Sequence, residues 1–183
     1  DFIKTSGDYS NLKKWDLTMM LSPETQCLQL KTNADKHHLY GKYWYHSGTN
    51  NSMRKELADI ADSATELSKI KLSDDKQYNI FLDIAANDGT LLSFVDKEKY
   101  TQIGIDPAEG IFQKELRNNS DFSVQNFFSK EIYDNIHIPG PGVISNAKIV
   151  TCIAMFYDLE DPLSFLKDVY DIIEDDGLFI KSL

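Results

Sequence analysis

Asn79-Ile80-Phe81-Leu82-Asp83-Ile84-Ala85-Ala86-Asn87-Asp88-Gly89-Thr90-Leu91-Leu92 is the stretch from which the fold of this chain is read. Its first half is a short apolar run closed by a carboxylate, the pattern of a strand buried on both faces. Its second half is built from small residues, which let a ligand approach the backbone. A strand-to-helix turn of this kind aims free amides and the positive end of a helix at one crevice. Asp83 and the backbone of Ala85, Asn87 and Gly89 are therefore candidate ligand contacts, and a plain tight turn before a packing helix is the competing reading.

Downstream of this stretch, strands and helices alternate, which predicts a mostly parallel sheet with helices on both faces, a Rossmann-like α/β fold. Strands are expected near residues 79–84, 101–105, 122–125, 148–154 and 178–182. The clearest helix follows Asp161, an N-cap with Pro162 at the first helical position. It should turn Leu163, Leu166, Val169, Ile172 and Ile173 inward and stop before Gly177. Residues 139–142 read as a turn.

Each later strand end adds a candidate. Ile103-Gly104-Ile105-Asp106-Pro107 places a second acidic side chain 23 residues after Asp83, where a carboxylate can accept both hydroxyls of a ribose. Asp106 could otherwise only cap the next helix. After the third strand, Asn126 and Phe127 are placed to hydrogen-bond and flank a base, although core packing explains the phenylalanine equally well. The fourth strand passes Ile153 into Met155-Phe156-Tyr157-Asp158-Leu159-Glu160-Asp161-Pro162, an aromatic and acidic loop at the same sheet edge.

Upstream, residues 1–30 show no clean period, and no regular structure is assigned to them. Residues 39–50 have the composition of an ordered aromatic loop. Asn51 or Ser52 can cap a helix whose Met53, Leu57, Ile60, Ala61, Ala64 and Leu67 recur at spacings of three and four. The expected division is an amino-terminal extension, 1–50, and a ligand-binding domain, 51–183.

Composition narrows the partners. Nineteen Lys and Arg face 29 Asp and Glu, a formal net charge of −10, which opposes a phosphate backbone. The basic residues do not cluster, so no nucleic-acid partner is expected. Two cysteines are too few for a disulfide framework, and no segment approaches the roughly 18 apolar residues of a membrane span. The chain reads as soluble and cytoplasmic. Because it opens on Asp1 and stops at Leu183 within an expected strand, it reads as part of a longer product.

Taken together, these motifs resemble the class I S-adenosylmethionine (SAM)-dependent methyltransferases, and more narrowly the sugar-nucleotide C-methyltransferases of deoxysugar biosynthesis. The likeness runs from about Cys27 onward and rests on four segments: residues 83–92, the Gly104-Ile105-Asp106-Pro107-Ala108 strand end, the Phe127-Phe128 pair and the Phe156 to Pro162 loop. Tyr43-Trp44-Tyr45-His46-Ser47-Gly48 is similar to a family segment that lies over the cofactor, which implies Tyr45 and Ser47 as contacts for its methionine end. The resemblance implies SAM as cofactor, with Asp83 near the methionine amino group and Asp106 at the ribose. It also implies a small-molecule acceptor, a nucleotide-linked sugar, methylated at carbon.

His46 and Tyr157 are the polar side chains to test for proton transfer, with a structural role as the alternative for each. Two other functions compete: a nicotinamide-dependent oxidoreductase, opposed by the absence of a Gly-x-Gly-x-x-Gly spacing, and a non-catalytic binding module.

Three departures stand out. Ala85 occupies a position that is usually glycine in the family, at a cost that depends on the sign of its φ. Only Cys27 stands where the family carries paired zinc cysteines, and one cysteine, even beside His37 and His38, cannot hold a structural zinc, so no metal is expected. The family's carboxyl-terminal domain, with its His-Glu-His segment near the base, would begin beyond Leu183, and no base is named.

Overall fold

The computed structural model describes residues 13–68, 70–139 and 144–182. The chain divides into two compact units, one up to Trp44 and one from Tyr45 onward. Residues 45–50, grouped above with the extension, lie in the second unit.

The first unit holds an antiparallel hairpin, β1 (Met19–Leu21) and β2 (Leu28–Leu30), and a one-turn helix, α1 (Lys36–Tyr40). The hairpin corrects the expectation of no regular structure before residue 30. Its side chains are all exposed, so the backbone ladder and a turn with Gln26 at φ +60° hold it, and no burial period is written into its sequence. Cys27 lies exposed at the turn and His37 and His38 sit in α1.

The second unit opens with α2 (Asn51–Leu67). Its cap is Asn50, one residue earlier than expected, whose side chain accepts hydrogen bonds from the amides of Ser52 and Met53. Leu57, Ala61 and Ala64 are buried as the spacing predicts, whereas Leu67, at the end of the helix, is exposed.

Then follow β3 (Ile80–Ile84), β4 (Thr101–Ile105), α3 (Ile111–Asn119), β5 (Phe122–Val124), α4 (Lys130–Asp134), β6 (Ala147–Cys152), α5 (Pro162–Ile172) and β7 (Ile173–Lys181). The strands form one sheet in the order β5-β4-β3-β6-β7, and every pairing is parallel. The chain winds outward from β3 through β4 to β5, then returns to β6 beside β3, so the order reverses at β3 and β6. Ligands of doubly wound sheets bind at such a reversal, outside the carboxyl ends of the strands. The expected Rossmann-like architecture is the one found.

Alternation along β3 sorts the core into two layers. Ile80, Leu82 and Ile84 face Tyr133 of α4 and Phe165, Val169 and Ile172 of α5. Phe81 faces the opposite way, into a cluster with Leu57, Ala61 and Ala64 of α2, Leu116 of α3 and Leu92. Burying each such Leu, Ile or Phe side chain contributes about 1.5–3 kcal/mol.

Two further expectations are corrected. α5 begins as predicted, with the Asp161 side chain accepting from the Ser164 amide, but Leu163 and Leu166 are exposed. The inward stripe is Phe165, Val169 and Ile172, and Ile173 already opens β7 as a half-buried strand residue. After the first turn no long helix forms: the chain makes a single 3-10 turn, Leu92–Phe94. Val95 turns extended, with φ −76° and ψ 140°, and the Asp96 side chain then takes the amide of Glu98 that a continuing helix would use. Most of the predicted turn at 139–142 lies outside the described residues.

Candidate ligand site at the carboxyl ends of the sheet

Asp83 and Asp106 share one face of the sheet. Asp83 pairs in register with Gly104, and alternation returns to the same face two residues later, at Asp106. Both carboxylates are buried, at 4% and 6% exposure. Neither forms an ion pair with Lys, Arg or His among the described residues. Burial and the neighbouring charges of Asp106 and Asp88 lift the Asp83 carboxyl to about 7 against the pull of a hydrogen bond from Thr151. Burial also raises the Asp106 carboxyl, opposed by the amides of Ala108 and Asn87.

The bend between them is tightly bonded. The amides of Ala85 and Ala86 donate to the carbonyl of Ile105 at 2.8 and 3.2 Å, closing the bend onto β4. Asp106 Oδ2 accepts from the Asn87 amide at 2.8 Å and Oδ1 from the Ala108 amide at 2.7 Å. Asp106 is therefore also a brace between the first turn and the end of β4, and each oxygen keeps a further lone pair. Ala85, Asn87 and Gly89 have φ of +59°, +53° and +75°. For Ala85 this is the costly case, since a left-handed conformation strains a residue with a Cβ. At Gly89 a Cβ would also meet Leu116 Cδ1 and Asn119 Cβ at 2.9 Å, which is why glycine is needed there.

Residues 45–48 lie across this bend as a strap. Asn87 Nδ2 donates to the Tyr45 carbonyl at 2.9 Å, and its Oδ1 accepts from the Ser47 amide at 3.1 Å. The Gly48 amide donates to Asp88 Oδ2 at 2.7 Å, while Asp88 Oδ1 accepts from the hydroxyl and amide of Thr90. His46 stacks on Phe112 with ring centroids 4.2 Å apart and lies 3.1 Å from Glu115 Oε2. His46, Asp88 and Glu115 thus bring one nitrogen and two carboxylates within 4.8 Å of one another. Hydrogen bonds to Thr90 and Gly48 already engage both oxygens of Asp88, and the cluster works as a clamp between strap, turn and α3.

Hydrogen bonds therefore join Tyr45, Ser47, Asn87 and Asp106, Ala85 is bonded to Ile105 next to Asp106, and Gly89 lies in the same bend while the charge of Asp106 acts on Asp83. The other expected contacts are Pro107, Asn126, Phe127, Ile153 and Tyr157. Pro107 follows Asp106, half-buried. Asn126 is exposed beyond β5, its Oδ1 accepting from the next amide, that of Phe127, which is half-buried. Ile153 follows β6, packed against the cluster around Phe81. Tyr157 is exposed in a 3-10 turn.

Sequence reasoning missed four residues of this network. Thr151 donates to Asp83 Oδ1 at 2.6 Å from the neighbouring strand. Gln113 Nε2 donates to the Asp106 carbonyl, Glu115 meets His46, and Asp88 anchors the strap. Only Asp88, inside the quoted turn, carried a signal in the sequence.

No protein-family model matches the chain, and no curated protein matches it. Among solved structures, it resembles a SAM-dependent methyltransferase from Clostridium acetobutylicum at 18% identity and a TM-score of 0.47, over 70% of this chain and 49% of that one. The plantazolicin methyltransferase BpumL, in complex with a desmethyl-plantazolicin analogue and S-adenosylhomocysteine (SAH), aligns at 12% identity and 0.49, over 74% and 49%. A SAM-dependent methyltransferase from Thiobacillus denitrificans, in complex with SAH, aligns at 10% and 0.46, over 69% and 47%. The chain spans about half the length of the solved chains it matches. At these identities the likeness concerns the fold alone, and the fold of this chain rests on its own strand order.

Proposed function

We propose that the second unit binds SAM and is the cofactor domain of a methyltransferase acting on a small molecule. A nucleotide-linked sugar, methylated at carbon, is the acceptor class that the sequence resemblance implies. The observation that carries this reading is the pair Asp83 and Asp106, two buried carboxylates at the ends of adjacent parallel strands with no cationic partner among the described residues. Uncompensated buried charge is costly, and a ligand bearing positive charge relieves it. SAM fits, because its ammonium and sulfonium groups are cationic and its ribose offers two hydroxyls to a carboxylate.

In this reading Asp83 holds the ammonium group, the free lone pairs of Asp106 accept the ribose hydroxyls, and the bend at 85–89 approaches through backbone alone. Tyr45 and Ser47 in the strap lie over the methionine end, and Asn126, Phe127, Pro107 and Ile153 flank the adenine side. The bound cofactor supplies an electrophilic methyl group. The chain's own contribution is orientation, since alignment of donor and acceptor removes much of the entropic part of the barrier.

Calorimetry with SAM, SAH and NAD tests the reading. SAH should bind, Asp106→Ala should abolish binding while circular dichroism shows the fold retained, and NAD should give no heat. Failure of the folded wild-type chain to bind SAH, or indifference of binding to Asp106→Ala, would overturn it.

A further inference from the structure

Thr151 sits on β6 in register with Asp83 on β3, so the two face each other across the reversal point of the sheet. Thr151 is fully buried, and its Oγ1 lies 2.6 Å from Asp83 Oδ1 and 3.4 Å from the Leu82 carbonyl. A hydroxyl has one proton to donate, and the shorter contact to a carboxylate is the stronger acceptor. Asp83 Oδ2 accepts no hydrogen bond among the described residues. One oxygen is thus held by the neighbouring strand and the other is left for a ligand.

We propose that Thr151 is a positioning residue for the cofactor: its hydroxyl ties down one oxygen of Asp83 and so presents the other, as carboxylate, to the cofactor's ammonium group. The inference rests on the SAM reading above. It explains why a hydroxyl stands in a strand segment otherwise read as pure core, Ile149-Val150-Thr151-Cys152.

The surroundings of Asp83 give the hydroxyl a second effect. The charged groups that act on Asp83 are Asp106 at the end of β4 and Asp88 in the turn; Cys152, next to Thr151 and on the opposite face of the sheet, feels Asp83 and Lys181 of β7. Among the described residues only Thr151 donates a hydrogen bond to the Asp83 side chain. A donor favours the charged form of a carboxyl, so Thr151 opposes the burial that lifts Asp83 to about 7. Without the hydroxyl the carboxyl holds its proton to higher pH, and a cationic ligand must displace that proton before it binds.

The test is calorimetric titration of SAH from pH 6 to 9 into wild type, Thr151→Val and Thr151→Ser. Val matches the shape of Thr without a donor, and Ser restores one. The expected result is about fivefold weaker binding by Thr151→Val at pH 7, the loss of ionised carboxylate that an upward displacement of about one unit from about 7 produces, a gap that narrows toward pH 9, and near wild-type binding by Thr151→Ser. Infrared or NMR titration of the Asp83 carboxyl without ligand should show it moved upward in Thr151→Val alone. Thr151→Ala repeats the comparison in case Val does not fold. If wild type binds SAH and the donor-free variants bind it equally at every pH, the positioning role is overturned while the SAM reading stands. If wild type does not bind SAH, the SAM reading falls and takes this inference with it.

Discussion

At the residue scale, the molecule stores strain and buried charge in the same few positions. Ala85 holds φ +59° with a Cβ, in a bend closed by its own amide bond to Ile105. Ala85→Gly removes that conflict, and after the entropy that glycine adds to the unfolded chain, stability should rise by up to about 1 kcal/mol. Urea denaturation measures this, and a lowered midpoint would show that the bend is unstrained. Asp83 is the second such position. Its carboxyl is raised from 3.8 to about 7 on folding, so the folded state binds its proton more tightly than the unfolded state. Its favourable contribution is complete below pH 4 and is lost as the pH rises through about 7. Asp83→Asn should therefore leave stability little changed near pH 4, increase it by a few kcal/mol at pH 8, a value of order set by such a shift, and eliminate SAH binding. Paired thermal melts at the two pH values check the sign. Position 83 could be read from sequence because a carboxylate ending an apolar strand is a local pattern. The strain at 85 could not, since the sign of φ is set by the bonds that close the turn.

At the element scale, the strap and the caps show two ways in which sequence becomes structure. Asp161 and Pro162 start α5 through interactions with the next three residues, so the helix start was legible directly. Asp161→Ala should cost about 1 kcal/mol of stability, the usual worth of a side-chain cap, as chemical denaturation would report. Which residues of α5 turn inward was not legible in the same way. Leucines at 163 and 166 fit a helical period, but the sheet lies under the stripe through Phe165, Val169 and Ile172. The strap depends wholly on partners about forty residues away, Asn87 and Asp88. A Cβ at Gly48 would fall 2.7 Å from Thr90 Oγ1, which is bonded to Asp88 Oδ1, and 3.0 Å from Asp88 Oδ2, which accepts from the Gly48 amide itself. Gly48→Ala should therefore cost about 1–3 kcal/mol, as overpacking does. In the proposed function it also weakens SAH binding, because the strap carries Tyr45 and Ser47. Wild-type stability in this variant would mean that the strap is loosely held.

At the scale of the whole molecule, the parallel sheet gathers side chains from separated stretches of chain at one edge, and there it concentrates negative charge. Asp83, Asp88 and Asp106 come from two strand ends and the turn between them, all buried. A cationic ligand should stabilise the whole fold more at pH 8, where Asp83 is ionised, than at pH 6. At a hundredfold excess over its dissociation constant, binding adds about 2.7 kcal/mol, which differential scanning fluorimetry with SAH would register as a shift of several degrees. A larger shift at pH 6 than at pH 8 would contradict the place given to Asp83. By itself the sequence determined the five strands of the parallel sheet, the starts of α2 and α5 to within a residue, the first turn, and the two acidic strand ends, because apolar period, turn residues and caps act between near neighbours. Tertiary structure alone decided that Thr151 faces Asp83, that Asp106 braces Asn87 and that His46 meets Glu115. Strand register and helix placement set those contacts, and they follow from how the whole core packs, which no local stretch encodes.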